Sequence, residues 1–426
     1  MKNLLKMFLV VVVIVSSFFV WEAYNKEEPM YIAFIGPMSG EGAAAGKIMT
    51  NAIKLHLEEI NKSRDKLNGK KVALKIFDDR NDCSGRAKTE AKKIVNDPQI
   101  LAVIGHWYSG CSIAGGNIYQ KYGLLAITPG SIKKEVTENN EWYFRNIYTA
   151  KTSSSFLAHY VDKVFHHNKV AIISDGSGFG SYTGEVFEET ARKLNMDIKS
   201  WNYDYKFNSK KKKQFFQEIV DQLAQKTNDT EVIMLAMQAI ESVKLVKMIK
   251  DSNIDKIIIG VSSLSEDTFK FGFDGFPREK TNQGYYTNGI YVAIPLLFDA
   301  ANEKAQQFRE KYLARYDEEP DWSAAYAYDS AMVLIAAMDQ AGIEGKLQTS
   351  KTDRNKIREA LASFTNLDEA IEGTTGFNYF DENRDAQKLP MLGMYKNKNL
   401  VSTFTQSQAQ TMRDIREEVF DFDKSH

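Results

Sequence analysis

The residues of this chain best equipped for chemistry are six histidines, two cysteines, an adjacent carboxylate pair and a glycine-rich turn. Their spacing points to binding rather than catalysis. His56 and His159 fall in helical patterns, His166 and His167 at a polar helix end, and His426 at the terminus, which leaves His106 alone at the end of an apolar run. Neither a GxSxG elbow nor an HExxH helix accompanies it, so a structural hydrogen bond is its expected role. Asp78 and Asp79 could hold a metal or act as an acid pair, but adjacent carboxylates after a strand ordinarily satisfy turn amides and cap helices. The stretch Gly40-Glu41-Gly42-Ala43-Ala44-Ala45 fits a relaxed GxGxxA dinucleotide pattern. The preceding strand ends too early for that motif, at Gly36, and the next acidic strand end, Asp78, comes far beyond the usual interval of about 20 residues. The turn reads better as close backbone approach followed by a helix amino terminus that faces an anionic or polar group. Lys210–Lys213, ahead of Phe215 and Phe216, is a solvated helix face. No catalytic residue, metal or cofactor is assigned.

The elements that must position these residues alternate. Strands are predicted at Tyr31–Ile35, Val72–Phe77, Leu101–Ile104, Leu124–Thr128, Val170–Ser174, Ile198–Tyr203, Val232–Ala236, Ile257–Val261 and Gly289–Ile294, with helical patterns between most of them. Strands separated by helices imply right-handed crossovers and parallel sheets, with ligands outside the carboxyl ends of the strands. The segment FRNIYTAKTSSS (144–155) breaks the rhythm and reads as a passage between lobes. Beyond Ile294 the pattern is mostly helical, Gly373–Tyr395 has strand-and-turn chemistry, and residues 401–426 read as a peripheral tail with one possible helix at Gln410–Phe420. Cys83 and Cys111 each follow a strand end in neighbouring units, where they can meet. In an exported chain an even count favours a disulfide, and two free thiols is the reading otherwise.

A length of 426 residues exceeds one ordinary hydrophobic core, so two lobes are expected. The formal charge of -1 supplies no field for nucleic acid, and 20 Tyr with 25 Phe exclude general disorder. Residues 1–28 contain the apolar run Met7–Trp21 behind Lys2 and Lys6, a signal anchor or signal peptide. Ser16 and Ser17 lead into bulky residues rather than a small-residue cleavage site, which favours an uncleaved membrane anchor over residues 4–21 with the rest of the chain outside.

In order, IGPMSG (35–40), FDD (77–79), KIVND (93–97), VIGHWYSG (103–110), ITPG (127–130), YFRN (143–146), YAYDSA (326–331) and GTTGFNYFDENRD (373–385) resemble the type I solute-binding proteins of the branched-chain amino-acid ABC transporter class, with Arg384 where the family's late signature has glycine. The resemblance covers about residues 30–400. It implies an α/β fold of two doubly wound parallel-sheet lobes joined by three crossovers, with 29–149 and 289–388 in the first lobe and 150–288 and 389–400 in the second. It also implies the Cys83–Cys111 disulfide, a small-molecule ligand in the cleft and an ABC permease as partner.

Carried over by position, Ser109 matches the serine that holds a ligand carboxylate and Gly130 the carbonyl that receives an ammonium. Ile132 replaces a threonine of that pattern, Ser262 stands where amino-acid binders place an acid, and Ala45, Phe179 and Gln238 stand where they carry tyrosines. An ammonium in a closed cleft needs an anion, and Glu41 is the one substitute nearby. Trp107, Tyr108 and Phe179 suit an apolar or aromatic body, with Ser109, Ser131, Gln238 and Ser262 orienting amide, carboxylate or amino-acid-like groups. The expected function is capture of a small polar or amphipathic solute and its delivery to a permease. The alternatives are a tethered sensor that signals to a receptor, a cleft that has lost its ligand, and a nucleotide-dependent enzyme on the same scaffold.

Overall fold

Two sheets organise the computed structural model, which describes residues 28–40, 42–63, 67–204, 206–403 and 408–424. The anchor expected at 4–21 and Glu41 lie outside the described residues. The first sheet contains β1 (Met30–Gly36), β2 (Val72–Asp78), β3 (Ile100–Gly105), β4 (Leu125–Thr128) and β5 (Tyr143–Arg145), all parallel, in the order β2-β1-β3-β4-β5. The second contains β6 (Lys169–Asp175), β7 (Asp197–Tyr203), β8 (Val232–Ala236), β9 (Ile257–Gly260) and β10 (Ile290–Ile294) in parallel. β11 (Ile371–Gly373) and β12 (Gly376–Asn378) form a separate hairpin. β13 (Met391–Lys396) and β14 (Asn399–Ser402) complete the second sheet on one antiparallel edge, giving the order β14-β13-β10-β9-β8-β6-β7.

Thirteen helices among the described residues cover these sheets. They are α1 (Ala43–Ser63), α2 (Arg86–Asn96), α3 (Ser109–Tyr122), α4 (Ala150–Lys163), α5 (Gly178–Lys193), α6 (Ser209–Leu223), α7 (Ala239–Asp251), α8 (Asp267–Lys270), α9 (Pro277–Thr281), α10 (Glu303–Tyr316), α11 (Trp322–Gln340), α12 (Ser350–Ala362) and α13 (Ala409–Lys424). The period-two geometry of a strand sends alternate residues to opposite layers. From β1, Ile32 and Phe34 pack with Met49, Ile53, Leu334 and Met338 of α1 and α11, while Ala33 and Ile35 pack with Ala91, Ile94 and Tyr119 of α2 and α3. From β6, Ala171 and Ile173 meet Ile219 and Leu245, while Val170 and Ile172 meet Phe156 and Phe187. Burial on both faces is why β3 (ILAVIG) and β8 (VIMLA) are unbroken apolar runs.

Two expectations about lobe membership are corrected. Residues 289–294, assigned to the first lobe, form β10 of the second sheet, with Ile290 opposite Ile258 and Tyr291 opposite Met394. The return to the first lobe therefore follows Ile294. The described residues of the segment expected as a peripheral tail, 401–426, are not one, because β14 extends the second sheet and α13 lies along α4 with Ile415 and Val419 fully buried. With Met412 packed beside them, their four-residue spacing makes a narrow apolar stripe, anchored by the Lys163–Glu418 pair at 2.7 Å.

The late signature closes the first lobe. The fully buried Asp329 carboxylate of α11 accepts the amides of Thr374 and Thr375, each at 2.8 Å, and both threonine hydroxyls. Lys388 donates to Asn378 Oδ1 at 2.6 Å and also bonds the Thr375 hydroxyl; burial pushes its ammonium down to about 8, against the opposing pull of Asp329. Burial, with Asp385 adding repulsion, pushes the Asp381 carboxyl up to about 6. This stabilising contribution belongs to the protonated form. It is complete below the unfolded value of about 4 and lost as pH rises through about 6. Asp381→Asn is expected to flatten that part of the stability profile and to raise stability at pH 7 by up to about 3 kcal/mol, measured by urea unfolding of both proteins from pH 4 to 8.

Candidate functional site

In both lobes the strand order reverses beside the first strand, between β1 and β3 and between β6 and β8, and the residues after those strand ends converge there. The turn after β1 is held by Asp78, whose carboxylate accepts the amides of Met38 (2.9 Å), Ser39 (3.3 Å) and Arg80 (3.1 Å) and the Ser39 hydroxyl (2.5 Å). Burial alone would raise this carboxyl, but those bonds outweigh it and hold the group below its ordinary value. Gly42, at φ 91°, leaves room for the Tyr108 hydroxyl, which lies 3.1 Å from where its Cβ would stand.

The end of β3 is built on His106, which is fully buried and joined to Gly105 by a cis peptide. Its Nδ1 meets Asp79 Oδ2 at 2.7 Å, its Nε2 meets the Tyr119 hydroxyl at 3.1 Å, and its amide donates to the Tyr143 hydroxyl at 2.9 Å. With both ring nitrogens engaged below the surface, His106 is a support for the loop that follows it. That loop carries Trp107, Tyr108 and Ser109 to the open amino terminus of α3, which no side chain caps. Cys83 and Cys111 are bonded to each other, with Cα atoms 4.2 Å apart, and fasten the loop after β2 to the first turn of α3.

Trp107 is half-buried and stacks on Trp322, the first residue of α11, with ring centroids 5.0 Å apart and planes at 29°. Its ring also covers Gly130, where any Cβ would overlap the indole. The half-buried Ser109 hydroxyl accepts the Lys133 amide at 3.3 Å, so Ser109, Gly130 and the 131–133 backbone share one corner. Ser131 departs from expectation. Its buried hydroxyl bonds Ser112 at 2.7 Å and donates to the Trp107 carbonyl at 3.0 Å, so it braces the loop from within instead of pointing at a ligand. Below it, fully buried Arg145 donates to Asp385 (2.7 Å), Thr137 (2.9 Å) and the carbonyls of Ser131 (3.2 Å) and Lys133 (2.8 Å).

Across the cleft, buried Asp175 ends β6 and accepts the Gln238 amide at 2.8 Å and the Ser177 amide at 3.2 Å, tying the ends of β6 and β8 together. Phe179 lies half-buried in the first turn of α5, the Gln238 side chain is exposed at the start of α7, and Ser262 follows β9 half-buried. Lys134 follows the Ser109 corner on the first-lobe side. Its ammonium is held above the ordinary value chiefly by its hydrogen bond to Glu138, with a smaller contribution from Tyr182 of α5. Asp175 and Trp322 were not singled out in the sequence. The first looks like an ordinary turn residue after a strand, and the signal for the second was an aromatic directly after the N-cap Asp321. Among the described residues there is no group of three or more His, Cys, Asp or Glu placed to hold a metal, and no helix long and apolar enough to cross a membrane.

Comparison with known proteins matches this geometry. An amino acid binding protein of Pseudomonas aeruginosa is 25% identical over 316 residues, which span 73% of this chain and 78% of that protein. An ABC transporter substrate-binding protein from Desulfitobacterium hafniense in complex with Leu superposes with a TM-score of 0.71 at 21% identity, over 88% of this chain and 100% of that one. A solute-binding protein of an ABC transporter from R. palustris in complex with benzoate superposes with a TM-score of 0.67 at 16% identity, over 88% of this chain and 96% of its own. The periplasmic binding protein family matches residues 29–392, almost the whole two-lobed body, and the chain belongs to that family.

Proposed function

We propose that this protein captures, outside the cytoplasm, a small solute carrying a carboxylate on an apolar or aromatic body, closes its two lobes around it and delivers it to an ABC permease. One observation carries the ligand class: the uncapped amino terminus of α3, with the Ser109 hydroxyl in its first turn, opens beside the Trp107–Trp322 stack. Helix amides and a hydroxyl suit an anionic head group, and the indole pair suits a flat or branched apolar body. Leucine and benzoate, bound by two proteins of the same fold, share that pairing. Tyr108, Gly130, Phe179, Gln238 and Ser262 complete the proposed lining, while Ser131 acts from behind it.

Ligand binding should raise the melting temperature in proportion to the logarithm of ligand concentration. Screening leucine, isoleucine, threonine, benzoate and a benzamide separates amino acids from simple carboxylates and amides. Ser109→Ala and Trp322→Ala are each expected to weaken the winning ligand at least tenfold by calorimetry. Failure of every carboxylate to bind would sink this reading. The family supports an extracytoplasmic location, and the apolar run at 4–21 supports a tether. Membrane fractionation of the full-length chain in its host should then leave it with the membrane after a high-salt wash. A retained tether equally suits a sensor that presents its closed form to a receptor, and solute uptake by a deletion strain decides between the two.

A further inference from the structure

A groove of about 1020 Å³ runs between α12, the segment around residues 379–387 and α13, away from the strand ends that form the cleft. Its α13 wall lies beyond the 29–392 span shared with the family. Among the described residues, three guanidinium groups on this groove have only neutral hydrogen-bond partners. Arg384 donates to the carbonyls of Asn140 (3.2 Å) and Glu382 (2.8 Å), Arg413 to the Gln410 side-chain oxygen, and Arg416 to the Tyr379 hydroxyl (2.8 Å) and the Gln387 carbonyl (2.7 Å). Among the described residues none of the three meets a carboxylate. A fourth, Arg358, meets the carboxylates of Glu141 (3.1 Å) and Glu359 (3.6 Å), while its buried Nε has no acceptor among the described residues. Guanidinium groups without a carboxylate partner keep their charge and donors for an incoming anion, so this arrangement favours a negative ligand.

Four acidic residues share the groove with these four arginines, and among the described residues only Glu141 of the four pairs with one of them. Glu141 is engaged by Arg358, Asp381 accepts two backbone amides and the Gln387 side chain, and Glu382 and Glu417 are exposed. Arg384 is also held at φ 69°, a left-handed conformation unfavourable for a side chain, at the position where the resembling family has glycine. Apolar surface completes the groove: Leu367 is 59% exposed, and half-buried Phe420, beneath the Arg416 guanidinium, lines it above the buried Phe380.

We propose that this groove is a second binding site, for an anionic amphiphile whose acidic head meets the arginines and whose apolar chain lies along Leu367 and Phe420. Since α13 is rooted in the second lobe while the 379–387 segment is tied to the first through Arg145–Asp385, an occupant would bridge the two lobes outside the cleft.

Calorimetric titration of the full chain with decanoate, decyl phosphate and decyltrimethylammonium tests the proposal. With the cleft disabled by Trp322→Ala, the two anions are expected to bind once per chain and at least tenfold more tightly than the cation. Arg384→Gly should weaken both anions at least tenfold without lowering the melting temperature, since glycine relieves the positive φ, and Arg413→Gln should weaken them severalfold. The cleft variant Trp322→Ala should leave their affinity unchanged. Equal binding of the cation, unchanged affinity in Arg384→Gly, loss of binding in Trp322→Ala, or no binding at millimolar concentration would each overturn it.

Discussion

Arg145→Ala is expected to lower the free energy of unfolding by about 3–5 kcal/mol and to abolish ligand binding in whatever folded protein remains. The side chain is fully buried, and its guanidinium joins Asp385 of the late signature to the carbonyls of Ser131 and Lys133 in the loop beside the cleft. Removal leaves the Asp385 carboxylate short of its main cationic partner and frees the buried acceptors of Ser131 and Thr137. Arg145→Lys keeps the charge but not the fork, so it should recover only part of the stability. Urea unfolding of the three proteins measures the first effect and calorimetry the second. An alanine variant within about 1 kcal/mol of the parent would show that the loop is held by its other contacts.

The Cys83–Cys111 bond should be the other large term. Closing a loop whose ends are 28 residues apart restricts the unfolded chain by about 3–4 kcal/mol on the chain-entropy estimate. The double variant Cys83→Ser/Cys111→Ser is therefore expected to unfold at markedly lower urea, and the parent to match it once reductant is added. The bond also fixes the first turn of α3, so the variant should bind the cleft ligand more weakly than its stability alone explains. A double variant that binds as tightly as the parent at a temperature where both are fully folded would assign the bond to stability only.

Much of this was legible along the chain because it is local. The strands predicted at Val72–Phe77, Val232–Ala236 and Gly289–Ile294 and found at Val72–Asp78, Val232–Ala236 and Ile290–Ile294 follow from apolar runs bounded by turn residues, whereas the helix start after the cap Asn208, whose side chain accepts the Lys211 amide, precedes the start expected at Gln214. The strand-end placement of Trp107, Tyr108 and Ser109 follows from the same reading. Ser131 did not follow, because a serine after a strand faces either a ligand or the loop's own carbonyls, and the sequence does not say which.

By itself, then, the sequence determined the alternation of strands and helices, the parallel doubly wound class and the strand ends at which a solute would sit. Only the tertiary structure decided which sheet β10 joins, that Ile415 and Val419 seat α13 against α4, and that Trp322 backs Trp107. The division has one physical cause. Periodicity and capping are properties of neighbouring residues, whereas the partner of a strand edge, an apolar stripe or an aromatic face is selected by the rest of the fold competing to bury it.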